Sequence, residues 1–206
     1  MVKVADPSAL GLFGLAMVTL VASTQKLGVT TGLSYVIPWA IFLGAFAQLM
    51  AGLLDYKKEN LFGGTAFCAY GFFWLAVASS WLINLGVFGD ILKGAVDTHQ
   101  LGYAFFGYLI FSVIMTIGAT QTNKVLLIDF IFIDLLFIGL GFSTLGIAEH
   151  TMHNLAAYSE LIISFISFYG VAANVINHQF KRAVLPVGKP VKFGAAKVEA
   201  KNTVLS

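Results

Sequence analysis

The sequence predicts an all-α, polytopic membrane protein, with six transmembrane helices forming one bundle per protomer and both termini cytoplasmic. Three observations carry this. Apolar residues make up 58% of the 206 residues and charged residues only 11%, against roughly 25% charged in an ordinary soluble domain, which leaves too little charge to cover a water-facing surface. The apolar residues come in blocks of about 20, the number that crosses a hydrocarbon layer roughly 30 Å thick at about 1.5 Å per residue. The basic residues gather in alternate connections, as a chain threaded back and forth through a bilayer requires.

The six spans are expected near residues 7–24, 33–54, 64–86, 102–120, 125–146 and 155–177. The first opens on Asp6-Pro7, where Asp can accept from the free N–H groups of a first turn and Pro suits the first helical position. Lys3 before this run and Val21-Ala22-Ser23 at its end also resemble a secretory signal, but an uncleaved span is the expectation. Lys26, Lys57 with Lys58, Lys93 and Lys124 then punctuate the connections in turn, and Lys181 and Arg182 follow the last span. The termini and the second and fourth loops hold Lys3, Lys57, Lys58, Lys124, Lys181, Arg182, Lys189, Lys192, Lys197 and Lys201, whereas the other loops hold only Lys26 and Lys93. That bias of ten against two orients both ends toward the cytoplasm.

The connections leave no room for a second domain, so the expected organisation is a transmembrane domain over 1–186 and a flexible basic cytoplasmic tail over 187–206. Three spans per half permit an inverted repeat, of which Tyr70-Gly71 in span three and Tyr169-Gly170 in span six are a weak echo. Glycines concentrate in the spans, among them Gly11, Gly14, Gly44, Gly52, Gly139 and Gly141, and small residues let helices approach closely where lipid supplies no drive between them. Cys68 is alone, so no intramolecular disulfide forms, and within an apolar block it reads as a small core residue.

Polar groups within the spans narrow the chemistry. Charge at mid-membrane costs at least about 2.5–3.5 kcal/mol, so each such residue calls for a role. Asp134 is the deepest and is the proton-handling candidate; Asp129 lies nearer the cytoplasmic end and Glu160 in the first turns of span six. Five residues apart, Asp129 and Asp134 diverge by about 140° around a helix and form no close pair. No Lys or Arg falls inside a span, which excludes a retinal Schiff base. An anion crossing here must be met by hydroxyls, amides and helix N-termini, or cross as its neutral acid.

The four histidines, His99, His150, His153 and His178, fall outside the expected spans, so paired axial ligands for a membrane haem are not expected. Glu149-His150-Thr151-Met152-His153 offers two histidines three apart, too little for a metal site. Neither a phosphate-cradling glycine loop nor a nucleophile elbow is present, and a net charge of +2 gives no nucleic-acid footprint. The expectation is a mover of a small solute, not an enzyme, with no cofactor and no metal.

Two stretches resemble the acetate uptake transporter family. Asp6-Pro7-Ser8-Ala9-Leu10-Gly11-Leu12 is similar to the family's Asn-Pro-Ala-Pro-Leu-Gly-Leu signature. More specific is Ala51-Gly52-Leu53-Leu54-Asp55-Tyr56-Lys57-Lys58, running through Asn60, Phe62-Gly63 and Thr65-Ala66-Phe67 to Tyr70-Gly71 and Phe73-Trp74. Asn177, Gln179-Phe180, Arg182 and Val184-Leu185-Pro186 extend the likeness, which covers residues 6 to 188.

The resemblance implies a six-helix protomer within a homohexamer in the cell membrane, each protomer with its own path for acetate and related short carboxylates such as succinate. It implies a constriction at Leu15, Tyr70 and Ile133; Leu15 stands for an aromatic residue and Ile133 for a leucine, so a wider passage is expected. Ser167 falls where the family carries a small residue tied to substrate size. Gln48, Thr65, Ser167 and Asn177 are the substrate-binding candidates, and Asp129, Asp134 and Glu160 stand outside the family pattern. Because carboxylates are the only ionisable groups at depth, proton-linked movement is favoured over a plain channel. The alternatives are a channel for a neutral solute such as urea, ammonia or a short amide, and a membrane assembly subunit with no path of its own.

Overall fold

The computed structural model describes residues 4–191. Among them six helical stretches are long and apolar enough to cross a membrane: Ser8–Lys26, Val36–Lys57, Leu61–Asn84, Thr98–Ala119, Lys124–Thr144 and Glu149–Phe180. The expected spans fall on these six, and no strand occurs among the described residues. In chain order the elements are α1 (Ser8–Lys26), α2 (Val36–Trp39), a π-helical segment (Ala40–Ala47), α3 (Gln48–Lys57), α4 (Leu61–Asn84), α5 (Asp90–Gly94), α6 (Thr98–Ala119), α7 (Lys124–Thr144) and α8 (Glu149–Phe180). α2, the π segment and α3 run on as the second span, and α5 is a short exposed helix in the third loop.

Span six differs most from expectation. α8 has 32 residues, about 48 Å at 1.5 Å per residue, and so extends well beyond a hydrocarbon layer. Glu149 to His153 lack apolar periodicity and read as loop, yet they supply the first turns of α8, because a helix needs apolar side chains only where lipid or core surrounds it. All four histidines therefore lie on helices, His99 at the start of α6, His150 and His153 in the opening turns of α8 and His178 in its last turn.

α1 packs on α8, α8 on α7, and α7 on α6, while α3 packs on α4 and the π segment lies between α1 and α4. Small residues permit the closest of these contacts. A Cβ at Gly14 would stand 2.4 Å from the Leu43 carbonyl oxygen of the π segment, and one at Gly139 would stand 2.6 Å from backbone atoms of both Met152 and Ala156. No rotamer change relieves a clash with backbone, so these two positions set the α1 and α7–α8 spacings.

The core is aromatic. The Tyr70 ring stacks on Phe137 and meets Phe111 and Phe130 at centroid distances of 5.6 to 6.3 Å, and Phe73 contacts Trp74, Phe105, Tyr108 and Phe137. Large apolar side chains such as Phe42, Leu53, Tyr103, Ile110, Ile117 and Phe165 point outward instead, the inverse of a water-soluble fold.

One face of the bundle carries residues 4–7, the 58–60 and 120–123 turns and residues 181–191. Lys57, Lys58, Lys124, Lys181, Arg182 and Lys189 lie on this terminal face and Lys26 and Lys93 on the other, while Lys3, Lys192, Lys197 and Lys201 lie outside the described residues. The start of the expected tail is tied down: Val125 N–H donates to the Val187 carbonyl at 3.2 Å and Val191 N–H to the Thr120 carbonyl at 2.8 Å. Residues 192–206 lie outside the described residues.

Candidate functional site

Three helices begin around one cavity on the terminal face. Ahead of α1, Asp6 Oδ1 accepts from the Ser8 N–H at 3.0 Å and the Ser8 hydroxyl at 2.7 Å, with Lys58 Nζ 3.5 Å away. Partial burial works to raise the Asp6 pKa, but the Ser8 bonds and the Lys58 ammonium outweigh it and hold the carboxyl below its ordinary value. α4 starts at Asn60, whose side chain accepts from Gly63 N–H at 3.2 Å, and α7 at Asn123, whose side chain accepts from Leu126 N–H at 3.0 Å. Asp6, Asn60 and Asn123 all line the cavity, so three positive helix ends face its mouth although no Lys or Arg among the described residues lines it. That is how this chain can attract an anion without a buried cation.

The cavity measures about 680 Å³, within the usual range for small-molecule sites, and narrows inward to Leu15, Tyr70 and Ile133. Beyond lies a second cavity of about 20 Å³, lined by those three with Thr19, Phe73, Trp74, Leu136, Phe137 and Ile163. Among the described residues Leu15, Tyr70 and Ile133 are the only ones common to both walls. Each is at most 8% exposed. The smaller cavity has room for about one water and not for a carboxylate, so the path is shut at this point.

Three residues that line the large cavity each carry a buried polar atom without a hydrogen-bond partner among the described residues: Gln48 Oε1, Tyr70 Oη and Asp129 Oδ1. Such orphans are costly unless a solute or water meets them. Gln48 follows directly on the π segment and its Nε2 donates to the Gly44 carbonyl at 2.8 Å, which leaves the amide oxygen free. Short π segments are frequent at functional sites, and this one sets Gln48 on the cavity wall.

The other candidates are placed differently. Thr65 does not line the cavity; its hydroxyl is 3.1 Å from Tyr56 Oη. Asn177 lines the mouth, but its amide holds the chain after α8, accepting from Val184 and Leu185 N–H and donating to the Leu185 carbonyl. Ser167 does not reach the wall and donates to Asp129 Oδ2 at 2.9 Å. Asp134 also stays off both walls; Thr116 of α6 donates to its Oδ2 at 2.7 Å, which makes it a tie between α6 and α7. Glu160 pairs with Lys26 at 2.8 Å on the opposite face. Asp129 is the intramembrane acid that reaches the path, and the signal for it was its position four residues, one helical turn, before Ile133.

Over residues 1–189 the sequence matches the GPR1/FUN34/yaaH family. The chain belongs to that family. Among its relatives is the succinate-acetate/proton symporter SatP of Escherichia coli strain K12, 34% identical over 189 residues, which cover 91% of this chain and 97% of SatP. The ammonia transport outward protein 2 of Saccharomyces cerevisiae is 28% identical over 86% of this chain and 64% of its own length. Among solved structures, that of the bacterial acetate channel SatP superposes with a TM-score of 0.83 at 32% identity, covering 90% of this chain and all of that one. This family member is thus a multi-pass protein of the cell membrane with the six-helix fold of that channel.

Proposed function

We propose that this family member moves acetate and related short carboxylates, succinate included, across the cell membrane along a path in each protomer. The observation that carries the proposal is that Leu15, Tyr70 and Ile133 line both a wide cavity and a small one in the bundle interior. Three helix N-termini would draw the anion in, and Gln48 and Tyr70 would replace part of its water. The names of the bacterial relative and of the solved channel point to the same solute class. Movement is proton-linked in this reading, since among the described residues two carboxyl groups and no Lys or Arg line the large cavity. The terminal face is taken as cytoplasmic from its excess of Lys and Arg, and the assembly as a homohexamer. Labelled acetate uptake into proteoliposomes tests the proposal: uptake several-fold above empty liposomes is expected, and equal uptake would refute it.

Ammonia is the second reading, favoured by the yeast relative's name and by the apolar constriction, which suits a small neutral solute. Ammonia flux through the proteoliposomes that acetate does not compete with, together with no acetate uptake, is the result that would select it.

A further inference from the structure

Asp129 presents a problem that the rest of the cavity does not explain. It is 2% exposed, it lines the wide cavity one helical turn before Ile133, and it is bonded through one oxygen to Ser167, with the other oxygen unpaired. A carboxylate solute that reaches the constriction must pass this acid, and among the described residues no Lys or Arg is on the wall to neutralise either. Two carboxylates brought together away from water are stable only with a proton between them.

We propose that Asp129 is the group through which this chain couples a proton to its solute, with Ser167 as a positioning residue that holds the carboxyl through Oδ2 and leaves Oδ1 without a partner among the described residues. The inference rests on the carboxylate-transport reading above. Protonated Asp129 meets the incoming anion with Oδ1–H. The O–H bond on Asp129 breaks as an O–H bond forms on the solute, and the neutral acid crosses between Leu15, Tyr70 and Ile133, where a charge would find only apolar neighbours and one phenol. The Asp129 carboxylate left behind takes a new proton from solution in the wide cavity, so one proton travels with each monocarboxylate, and the same steps run in reverse carry solute and proton inward.

The surrounding titratable groups do not offer the same service. Tyr70 of α4 shares the wall but is a phenol, and Tyr108 of α6 donates to the Ala69 carbonyl. Asp6, ahead of α1, and His178 of α8 sit at the mouth, Asp55 of α3 is packed against Asn60 and Gly63, Glu160 is paired to Lys26, and on α7 itself Lys124 lies at the helix start. Asp134 is held by Thr116 off the wall.

The test is labelled acetate accumulation in proteoliposomes with and without an inward proton gradient, with empty-liposome uptake subtracted. Asp129→Asn keeps the shape of the side chain but cannot release a proton. It should lose the gradient-driven component by about tenfold or more, with wild-type melting in detergent, and Asp129→Glu should restore part of it. Ser167→Ala should move the pH at which gradient-driven uptake is half-maximal, which a serine with only a packing role would leave in place. Asp134→Asn should accumulate acetate as the wild type does. Gradient-driven accumulation by Asp129→Asn equal to wild type overturns this inference alone, while wild-type uptake no faster than empty liposomes overturns it together with the transport reading.

Discussion

Lys26 Nζ lies 2.8 Å from Glu160 Oε2, and this pair fastens the end of α1 to α8 on the face opposite the termini. The Glu160 side chain is 2% exposed and that of Lys26 14%, and His153 Nε2 lies 3.0 Å from the Lys26 carbonyl to add a second tie between the same helices. Removing one member of a buried pair strands the other, at a typical cost of about 3–5 kcal/mol. Lys26→Met is therefore expected to lower the melting temperature in detergent more than the Lys26→Met/Glu160→Leu double substitution does. A double variant that melts no higher than the single one would show that the pair is not coupled.

The constriction predicts a change in selectivity. Ile133 is 4% exposed between the two cavities, and Ile133→Ala removes most of that barrier at a stability cost of about 2–5 kcal/mol. Succinate uptake relative to acetate should rise. Leu15→Phe fills the same gap and should lower uptake of both, with the larger solute more affected.

Depth along a helix can be read from the sequence, but direction into a path much less so. The six spans were legible because their length and apolarity are set by the bilayer, whereas Leu15, Tyr70 and Ile133 are singled out by the family resemblance alone, and the structure shows them lining both cavities. Asp134 drew attention as the deepest acid, yet it turns to Thr116, while Asp129, about 140° away around α7, faces the cavity. Asn177 and Thr65 are polar, but local partners engage both, and those contacts form only when the 183–186 turn and the α3–α4 corner fold. The opening turns of α8 were missed because their polar residues contact water, which leaves no periodic signature.

Asn177 makes three hydrogen bonds to Val184 and Leu185, and Tyr169 Oη adds one to the Pro186 carbonyl at 2.7 Å. Asn177→Ala leaves the Val184 and Leu185 N–H groups without this acceptor, a loss of about 1–3 kcal/mol. Hydrogen–deuterium exchange should quicken over 183–191 and stay unchanged in α4. Uniform quickening would mean that the side chain supports the whole bundle.

Asp6 gives a pH prediction. Its folded-state pKa lies below the ordinary 3.8, so its contribution is fully present above that value and fades as pH falls through the lowered one. The side chain is 61% exposed, and screening keeps the effect to about 0.5–1 kcal/mol. Asp6→Ala should melt lower than wild type at pH 7, and the gap should narrow as pH falls below 3.8 and through the lowered pKa. A gap that persists there would assign the loss to packing.

The second cavity, about 20 Å³ beyond the constriction, bears on the cell's energy supply. Protons hop along chains of water, and a space that holds roughly one molecule between apolar walls interrupts such a chain. In the shut state Leu15, Tyr70 and Ile133 therefore insulate the membrane. A protein embedded in an energised bilayer must not short-circuit the gradient across it, and here three side chains provide that insulation.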